Sequence, residues 1–283
     1  MGKPYNQLTE NDKNCILLAY NNGEDLEEME ITLGFSKRSI RRVLKENNIN
    51  THRRKRYTLN EKYFDKIDSE DKAYILGLLF SDGFVGKGKY NNIVLSFVED
   101  DLYMLDTIKS KIDFTGDIRK AKRKSGYDSS KDTYILDFSS YHMAESLRKL
   151  GMNNTKSRRN IAVSSIDNSL KRHFVRGYFD GDGSFTCCKN VTKHKLSDGS
   201  CKIYEYDRGK FSLIVSSRFV EEFTKLIPGN FYIHQSKAED MVYIEASSKE
   251  SLELIYEYLY KDSTIYLKRK HSKFLKYMER LAK

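Results

Sequence analysis

Two aspartates one hundred residues apart carry the clearest chemical signal in the chain. Asp82 ends the segment Ala73-Tyr-Ile-Leu-Gly-Leu-Leu-Phe-Ser-Asp-Gly83, and Asp182 ends Phe174-Val-Arg-Gly-Tyr-Phe-Asp-Gly-Asp-Gly183. Both segments read as helices, which places each aspartate at a helix C-terminus. The following glycine reads as an ordinary stop, left-handed just past the helix end. The aspartate is harder to explain. A helix C-terminus already carries partial negative charge, so Lys or Arg is favoured there. An acid in two equivalent unfavourable places calls for a compensating cation. Asp binds hard divalent ions such as Mg²⁺, with waters and phosphate oxygens completing the shell. Two carboxylates with divalent ions suit phosphoryl chemistry.

Such chemistry requires elements that bring the two acids together. Gly77 and Ser81 are four residues apart, as are Gly177 and Gly181. Small residues one turn apart let two helix backbones approach closely. If these helices pack on each other, Asp82 and Asp182 meet at one end of the interface. The duplication extends beyond the helices. Thr133-Tyr-Ile-Leu-Asp-Phe-Ser-Ser140 corresponds to Met241-Val-Tyr-Ile-Glu-Ala-Ser-Ser248, and each is followed by a helical pattern. Strands are expected near 84–88, 91–98, 115–122 and 132–139, then near 184–191, 209–216, 230–236 and 240–247. A repeat of this period means two similar subdomains. The expected fold class is α+β: two pseudo-symmetric αββαββα subdomains, over 71–160 and 161–283, preceded by an all-α module.

That module covers residues 1–50. A helix begins at Thr9, a second carries Leu26, Met29 and Leu33, and Gly34 makes a tight turn. Ser36 caps a third helix over Lys37 to Asn47. On this last helix Lys37, Arg38, Arg41, Arg42 and Lys45 lie away from the apolar face of Ile40, Val43 and Leu44. The arrangement resembles the helix-turn-helix of resolvase-type proteins, in which such residues bind DNA; a solvated charged face is the other reading. A basic linker over 51–70 follows, with Arg53 and Arg54 placed to lie along phosphates. Its aromatic residues Tyr57, Tyr63 and Phe64 suit docking on the next domain. Fifty Lys and Arg against 40 Asp and Glu give a formal net charge of +10, which points to a polyanionic partner.

The segments ending in Asp82 and Asp182 resemble the two signature motifs of LAGLIDADG homing endonucleases, in the single-chain, two-motif form. The resemblance covers about residues 70–283, and the N-terminal module matches a subgroup carrying a DNA-binding extension. It implies saddle-shaped antiparallel sheets that sit in the major groove of a long, non-palindromic double-stranded DNA site. It implies that Asp82 and Asp182 bind Mg²⁺, with Mn²⁺ able to substitute, and that both strands are hydrolysed to leave short 3′ overhangs. It also implies a lysine near each site. Lys156 matches one, and either Lys268 or Lys270 matches the other. The motifs depart from the family at Phe80 and Ser81, which are tolerable in size. Asp180, an earlier acid in the second motif, is read as a packing or polar contact. Further DNA contacts are expected from Arg119, Lys120, Lys122, Arg123 and Lys124 at a hairpin, and from Arg158 and Arg159 between the subdomains.

Composition narrows the alternatives. Hydrophobic residues make up 39% of the chain, with 20 Tyr and 15 Phe, enough for a core and too much for a disordered chain. The longest apolar run is too short to span a membrane, and no secretory signal is visible. Cys187, Cys188, His194 and Cys201 make an awkward zinc set, and unpaired thiols suit a reducing cytoplasm. A monomeric, intron-encoded nuclease is the expectation. An RNA-binding maturase or a non-catalytic transcription regulator could use the same fold, but neither needs both acids.

Overall fold

The computed structural model describes residues 3–22, 24–49, 57–86, 91–121, 132–152, 165–238 and 240–281. It divides into two units, Met1–Tyr57 and Thr58–Lys283.

The first unit holds three helices: α1 (Glu10–Asn21), α2 (Leu26–Leu33) and α3 (Lys37–Glu46). Local chemistry fixes their starts. Thr9 and Asp12 exchange hydrogen bonds in a capping box, as do Asp25 and Glu28, and Ser36 caps α3. Gly34 takes the left-handed conformation (φ 70°) that the turn between α2 and α3 requires. Ile16, Met29, Ile40, Val43 and Leu44 are fully buried between the helices. Each lies on the inward stripe of its helix, so a small core forms from three short amphipathic segments.

In the second unit, the order is α4 (Glu70–Asp82), β1 (Phe84–Val85), β2 (Asn92–Val98), α5 (Leu102–Lys111), β3 (Arg119–Lys120), β4 (Thr133–Ser139) and α6 (Tyr141–Lys149). It then repeats as α7 (Asn168–Asp182), β5 (Gly183–Lys195), β6 (Cys201–Ser216), α8 (Val220–Leu226), β7 (Tyr232–Gln235), β8 (Met241–Ala246) and α9 (Lys249–Tyr260). The sheets are antiparallel and follow the same order, β1-β2-β4-β3 and β5-β6-β8-β7. The duplicated α+β architecture is therefore present in both halves. One further helix, α10 (Lys268–Leu281), has no counterpart among the described residues of the first half. Among the described residues no helix is long and apolar enough to cross a membrane.

The chain after Tyr57 already belongs with this second unit, although 51–70 reads as linker from sequence. Thr58 N–H donates to Thr115 Oγ1 (2.8 Å), Asn60 N–H donates to Ile112 O (2.9 Å), and Tyr63, Phe64 and Ile67 are buried. The β5–β6 hairpin is also longer than its apolar pattern suggests, reaching 195 and restarting at 201.

The centre of the unit is the crossing of α4 and α7. Every residue of α4 from Ala73 to Ser81 is buried, as expected for a helix enclosed on all sides. The helices touch backbone to backbone. A Cβ on Gly77 would lie 2.1 Å from Phe174 O, and one on Gly177 would lie 2.0 Å from Tyr74 O. No side chain larger than hydrogen fits at either place.

Candidate active site

The close crossing carries both helix ends to the same place. Asp82 is the last residue of α4 and Asp182 the last of α7. Near the ends, a Cβ on Gly181 would meet Ser81 Oγ at 1.8 Å and Asp82 Oδ2 at 3.0 Å. Ser81 fits because Gly181 faces it with no side chain and because its hydroxyl turns back to Leu78 O (2.9 Å). Gly83 and Gly183 are extended (ψ 162° in each), not left-handed as the helix-stop reading expects. Each chain runs straight from helix into strand. The glycines are needed for space: a Cβ would lie 2.6 Å from the carbonyl oxygen of Leu79 or Phe179.

The compensating cation at the end of α7 is Lys270. Its ammonium donates to Phe179 O (2.9 Å) and Gly181 O (3.1 Å) in the last turn and to Gly183 O (2.5 Å) just beyond it, so all three N–H groups meet carbonyls. This is the favourable sign of charge for a helix C-terminus. Burial pushes its pKa down to about 8, against the pull of the Asp180, Asp82 and Asp182 carboxylates. Of the two C-terminal lysines weighed from sequence, Lys270 comes to the end of α7. Lys268 turns the other way, its ammonium 4.6 Å from the centre of the Tyr103 ring on α5.

A cavity of about 500 Å³ opens beside Lys270 and the start of β5. Ser184, Arg269, Lys270, Ser272, Lys273 and Lys276 line it, together with Gly181, Gly183 and Phe185. Its wall carries four basic residues and no carboxylate. Arg269 is held by Asp101 at 2.6 Å.

Behind the acids lies a buried polar network. Asp180 accepts from Tyr74 OH and from Leu267 N–H, both at 2.7 Å. Burial raises its pKa to about 6 despite those bonds. Arg176, fully enclosed, donates to Ile265 O (2.9 Å), Leu259 O (2.9 Å) and Glu70 Oε1 (2.6 Å). Thr264 N–H also donates to Glu70 (2.8 Å). These bonds tie the segment between α9 and α10 to α4 of the other half, and so set where α10 delivers Lys270. Sequence reasoning left out Arg176, Glu70 and Tyr74. The available signal was a lone Arg inside the otherwise apolar segment Phe174–Phe179.

The remaining candidates are dispersed. Arg119 pairs with Asp137 (2.6 Å) and Lys120 with Asp132 on the first sheet. On α3, Lys37 pairs with Glu27 (3.1 Å), and Arg42 pairs with Glu46 (3.2 Å) while stacking 4.0 Å over Tyr5. Arg38, Arg41 and Lys45 share the stripe i, i+3, i+7 of that helix, with no ion pair among the described residues. Arg53, Arg54, Lys122, Arg123, Lys124, Lys156, Arg158 and Arg159 lie outside the described residues. No group of three or more His, Cys, Asp or Glu is placed to chelate a metal among the described residues, so Cys187, Cys188, His194 and Cys201 form no zinc site. Cys187 and Cys188 alternate on a strand and face opposite ways.

No protein-family model and no curated protein matches the sequence. Solved structures do match in shape. The I-LtrWI LAGLIDADG homing endonuclease bound to target DNA superposes with a TM-score of 0.52 at 15% identity, over 79% of this chain and 92% of that one. A lysine-to-alanine mutant of I-SmaMI gives a TM-score of 0.50 at 13% identity, over 76% and 90%. The fold is that of the LAGLIDADG homing endonucleases. The LAGLIDADG fold accounts for the paired sheets and for the central helix crossing. At this identity it leaves the chemistry to be argued from the residues themselves.

Proposed function

We propose that this chain is a site-specific DNA endonuclease that hydrolyses both strands of a long duplex site. One observation carries the reading: the glycine crossing of α4 and α7 sets two equivalent aspartates at one end of a pseudo-twofold interface. Duplex DNA has its own local twofold relation between strands, so each acid is offered to one strand. The donors at the helix ends are all hard oxygen atoms, which fits Mg²⁺ or Mn²⁺ held by one or two carboxylates plus phosphate oxygens. Such an ion, when bound, supplies charge neutralisation at the phosphate and a water of lowered pKa.

The protein's own groups do the rest. Asp82 and Asp182 hold the cation positions. Lys270 fixes the last turn of α7 and therefore the direction of Asp182. Arg269, Lys273 and Lys276 form an anionic-ligand wall suited to the DNA backbone beside the cut. The outer faces of the two sheets read the major groove, the second through Ser184, Thr186 and Lys210, the last of which is held by Glu245 at 2.9 Å. In the N-terminal unit, α2, the Gly34 turn and α3 act as a helix-turn-helix whose Arg38, Arg41 and Lys45 add contacts. Cleavage across the groove leaves short 3′ overhangs, and one chain supplies both acids, so the protein works as a monomer.

The test is selection of cleaved sites from a randomised plasmid library in Mg²⁺, with Asp82→Asn and Asp182→Asn in parallel. A neutral amide binds a hard cation weakly, so each variant should lose about a thousandfold in rate, the equivalent of several kcal/mol. Gel-shift affinity in Ca²⁺ should persist, because it rests on Lys and Arg contacts to phosphate. Wild-type cutting rates in both variants would overturn the assignment of the two acids. Absence of any cut site with the wild-type chain would overturn the nuclease reading.

A further inference from the structure

The turn that follows β2 differs from its equivalent after β6. Val98↔Thr133 and Ser216↔Met241 are matching pairs at the ends of the two central ladders. Three residues further on, Asp101 stands immediately before α5 and Phe219 immediately before α8. Both are buried, at 1% and 2% exposure. Phe219 is an ordinary core residue. Asp101 puts a carboxylate where its twin puts a ring, and taking a charge out of water costs several kcal/mol unless it is well paired. Its position is that of a cap, because Asp at a helix N-terminus ordinarily accepts from the first N–H groups. Asp101 makes no such bond to α5. Its Oδ2 instead accepts from Arg269 Nε–H of the other half, at 2.6 Å. Its Oδ1 has no hydrogen-bond partner among the described residues.

The same turn holds the start of α10 a second time. Tyr103 OH accepts from Lys268 N–H at 2.7 Å. Residues 268 and 269 are thus fixed by the first half, while Lys270 is fixed by the end of α7. A single contact through Nε determines which part of the Arg269 guanidinium remains. Arg carries five N–H donors in a flat fork. With Nε held, the Nη1–Nη2 end is left over, and among the described residues it donates to no protein atom. The side chain is half-exposed and lines the cavity with Gly181, Gly183 and Ser184, beside Lys273 and Lys276. Burial, and after it the charge of Arg269, hold the Lys270 pKa down. Like charges are therefore gathered at this place with no carboxylate in the cavity wall, and an anion is what they accept.

Stability alone does not account for the pair. Replacing a buried ion pair by apolar side chains is often neutral or stabilising, and the second half manages with Phe219. What the pair does is aim a guanidinium. The Nη1–Nη2 edge matches two oxygens of one phosphate, and a fork whose Nε is already fixed loses less freedom when it binds. We propose, resting on the DNA-endonuclease reading above, that Asp101 is a positioning residue that holds Arg269 of the other half so that its free end grips the phosphate cut beside Asp182. The first half thereby takes part in cutting the strand that the second half serves. Phe219 offers no carboxylate for the reverse arrangement, so the two cuts depend on different groups.

The test uses the full chain and an end-labelled duplex chosen by cleavage from a random-sequence library in Mg²⁺. Single-turnover cutting of each strand is followed at saturating protein, beside gel-shift affinity in Ca²⁺. Arg269→Gln should slow one strand about a hundredfold, the loss typical of a donor aimed at developing charge, and leave the other near the wild-type rate. Arg269→Lys keeps the charge but not the fork, so it should keep affinity and still slow that strand. Asp101→Asn keeps the shape and loses the charge that fixes Nε, and should slow the same strand about tenfold. Combined with Arg269→Gln it should add nothing further, because Asp101 acts only through Arg269. Nicked product should accumulate in each variant. Equal slowing of both strands would show a clasp between the halves and overturn the positioning role. Wild-type rates in the Arg269 variants, or a double variant slower by the product of the single effects, would overturn it as well. Where a single variant fails to fold, Arg269→Lys and the double variant still decide the question, since neither leaves Asp101 as an unpaired anion. All these outcomes leave the endonuclease reading in place; a wild-type chain that cuts no duplex would overturn both.

Discussion

Replacing Gly177 by alanine tests the helix crossing on which the site depends. The added Cβ would sit 2.0 Å from Tyr74 O, 2.9 Å from Tyr74 C and 3.0 Å from Leu78 N. All three obstacles are backbone atoms, so no rotamer change relieves them. Non-bonded heavy atoms are comfortable near ~3.5 Å, so α4 and α7 must part by about 1–1.5 Å. Overpacking of this kind costs about 1–3 kcal/mol, and an obstacle made of backbone belongs at the upper end. Alanine returns about 1 kcal/mol of helix propensity. The net expectation is about 2 kcal/mol of destabilisation, read from urea unfolding at constant m. The functional loss should be larger than the loss of stability suggests. Misplacing reacting groups by about 1 Å costs about a hundredfold, so single-turnover cleavage at saturating protein should fall by that order. Gly77→Ala should behave alike, and the double variant should be less than additive because one parting relieves both clashes. A Gly177→Ala protein as stable and as active as wild type would refute the close crossing, and with it the meeting of Asp82 and Asp182.

Three other outcomes follow from the same geometry. Arg176→Met leaves two buried carbonyls without their donor and Glu70 without its cationic partner, and should cost about 3–5 kcal/mol in urea unfolding; a loss under about 1 kcal/mol would count against the network. Asp180, whose pKa is raised from 3.8 to about 6 by burial, favours the folded state most fully below about pH 4, and that contribution disappears as pH rises through 6. Wild type measured against Asp180→Asn should accordingly lose about 2.5 kcal/mol of relative stability between pH 4 and 7, and a flat difference would show that Asp180 ionises normally. Deleting residues 1–57 should leave the melting transition of the rest in place while weakening DNA affinity and shortening the footprint; an unchanged footprint would remove the helix-turn-helix from the binding surface.

Much of this molecule is written in short-range patterns. The apolar runs before Asp82 and Asp182, the small residues spaced by four, and the echo of Thr133–Ser140 in Met241–Ser248 are enough to place the central helices and the duplicated sheets. What escapes such reading depends on contacts across the chain. The tip of the β5–β6 hairpin carries lysines and other polar residues with little apolar alternation, so only main-chain pairing reveals the strands there. The glycines after the aspartates look like left-handed stops, yet each is extended because the chain must enter a strand at once. Lys270 is one of several lysines in a basic tail. Its role as the cation at the end of α7 appears only when α10 folds back onto a helix from the middle of the chain. Arg176 is visible as an anomaly in an apolar run, but its partners Leu259 O and Ile265 O have no sequence signature.

The same fold-back has a consequence for how the molecule is made. Lys270 emerges from the ribosome eighty-eight residues after Asp182. At ordinary rates of synthesis, both aspartates and both motif helices exist for roughly 5–20 s before the residue that caps α7 is available. Until then the end of α7 lacks the donor to Phe179 O, Gly181 O and Gly183 O, and the segment that Arg176 anchors is absent. Completion of the site is thereby deferred to the final stretch of translation. A nascent or prematurely terminated chain carries both acids but lacks the lysine that holds the end of α7.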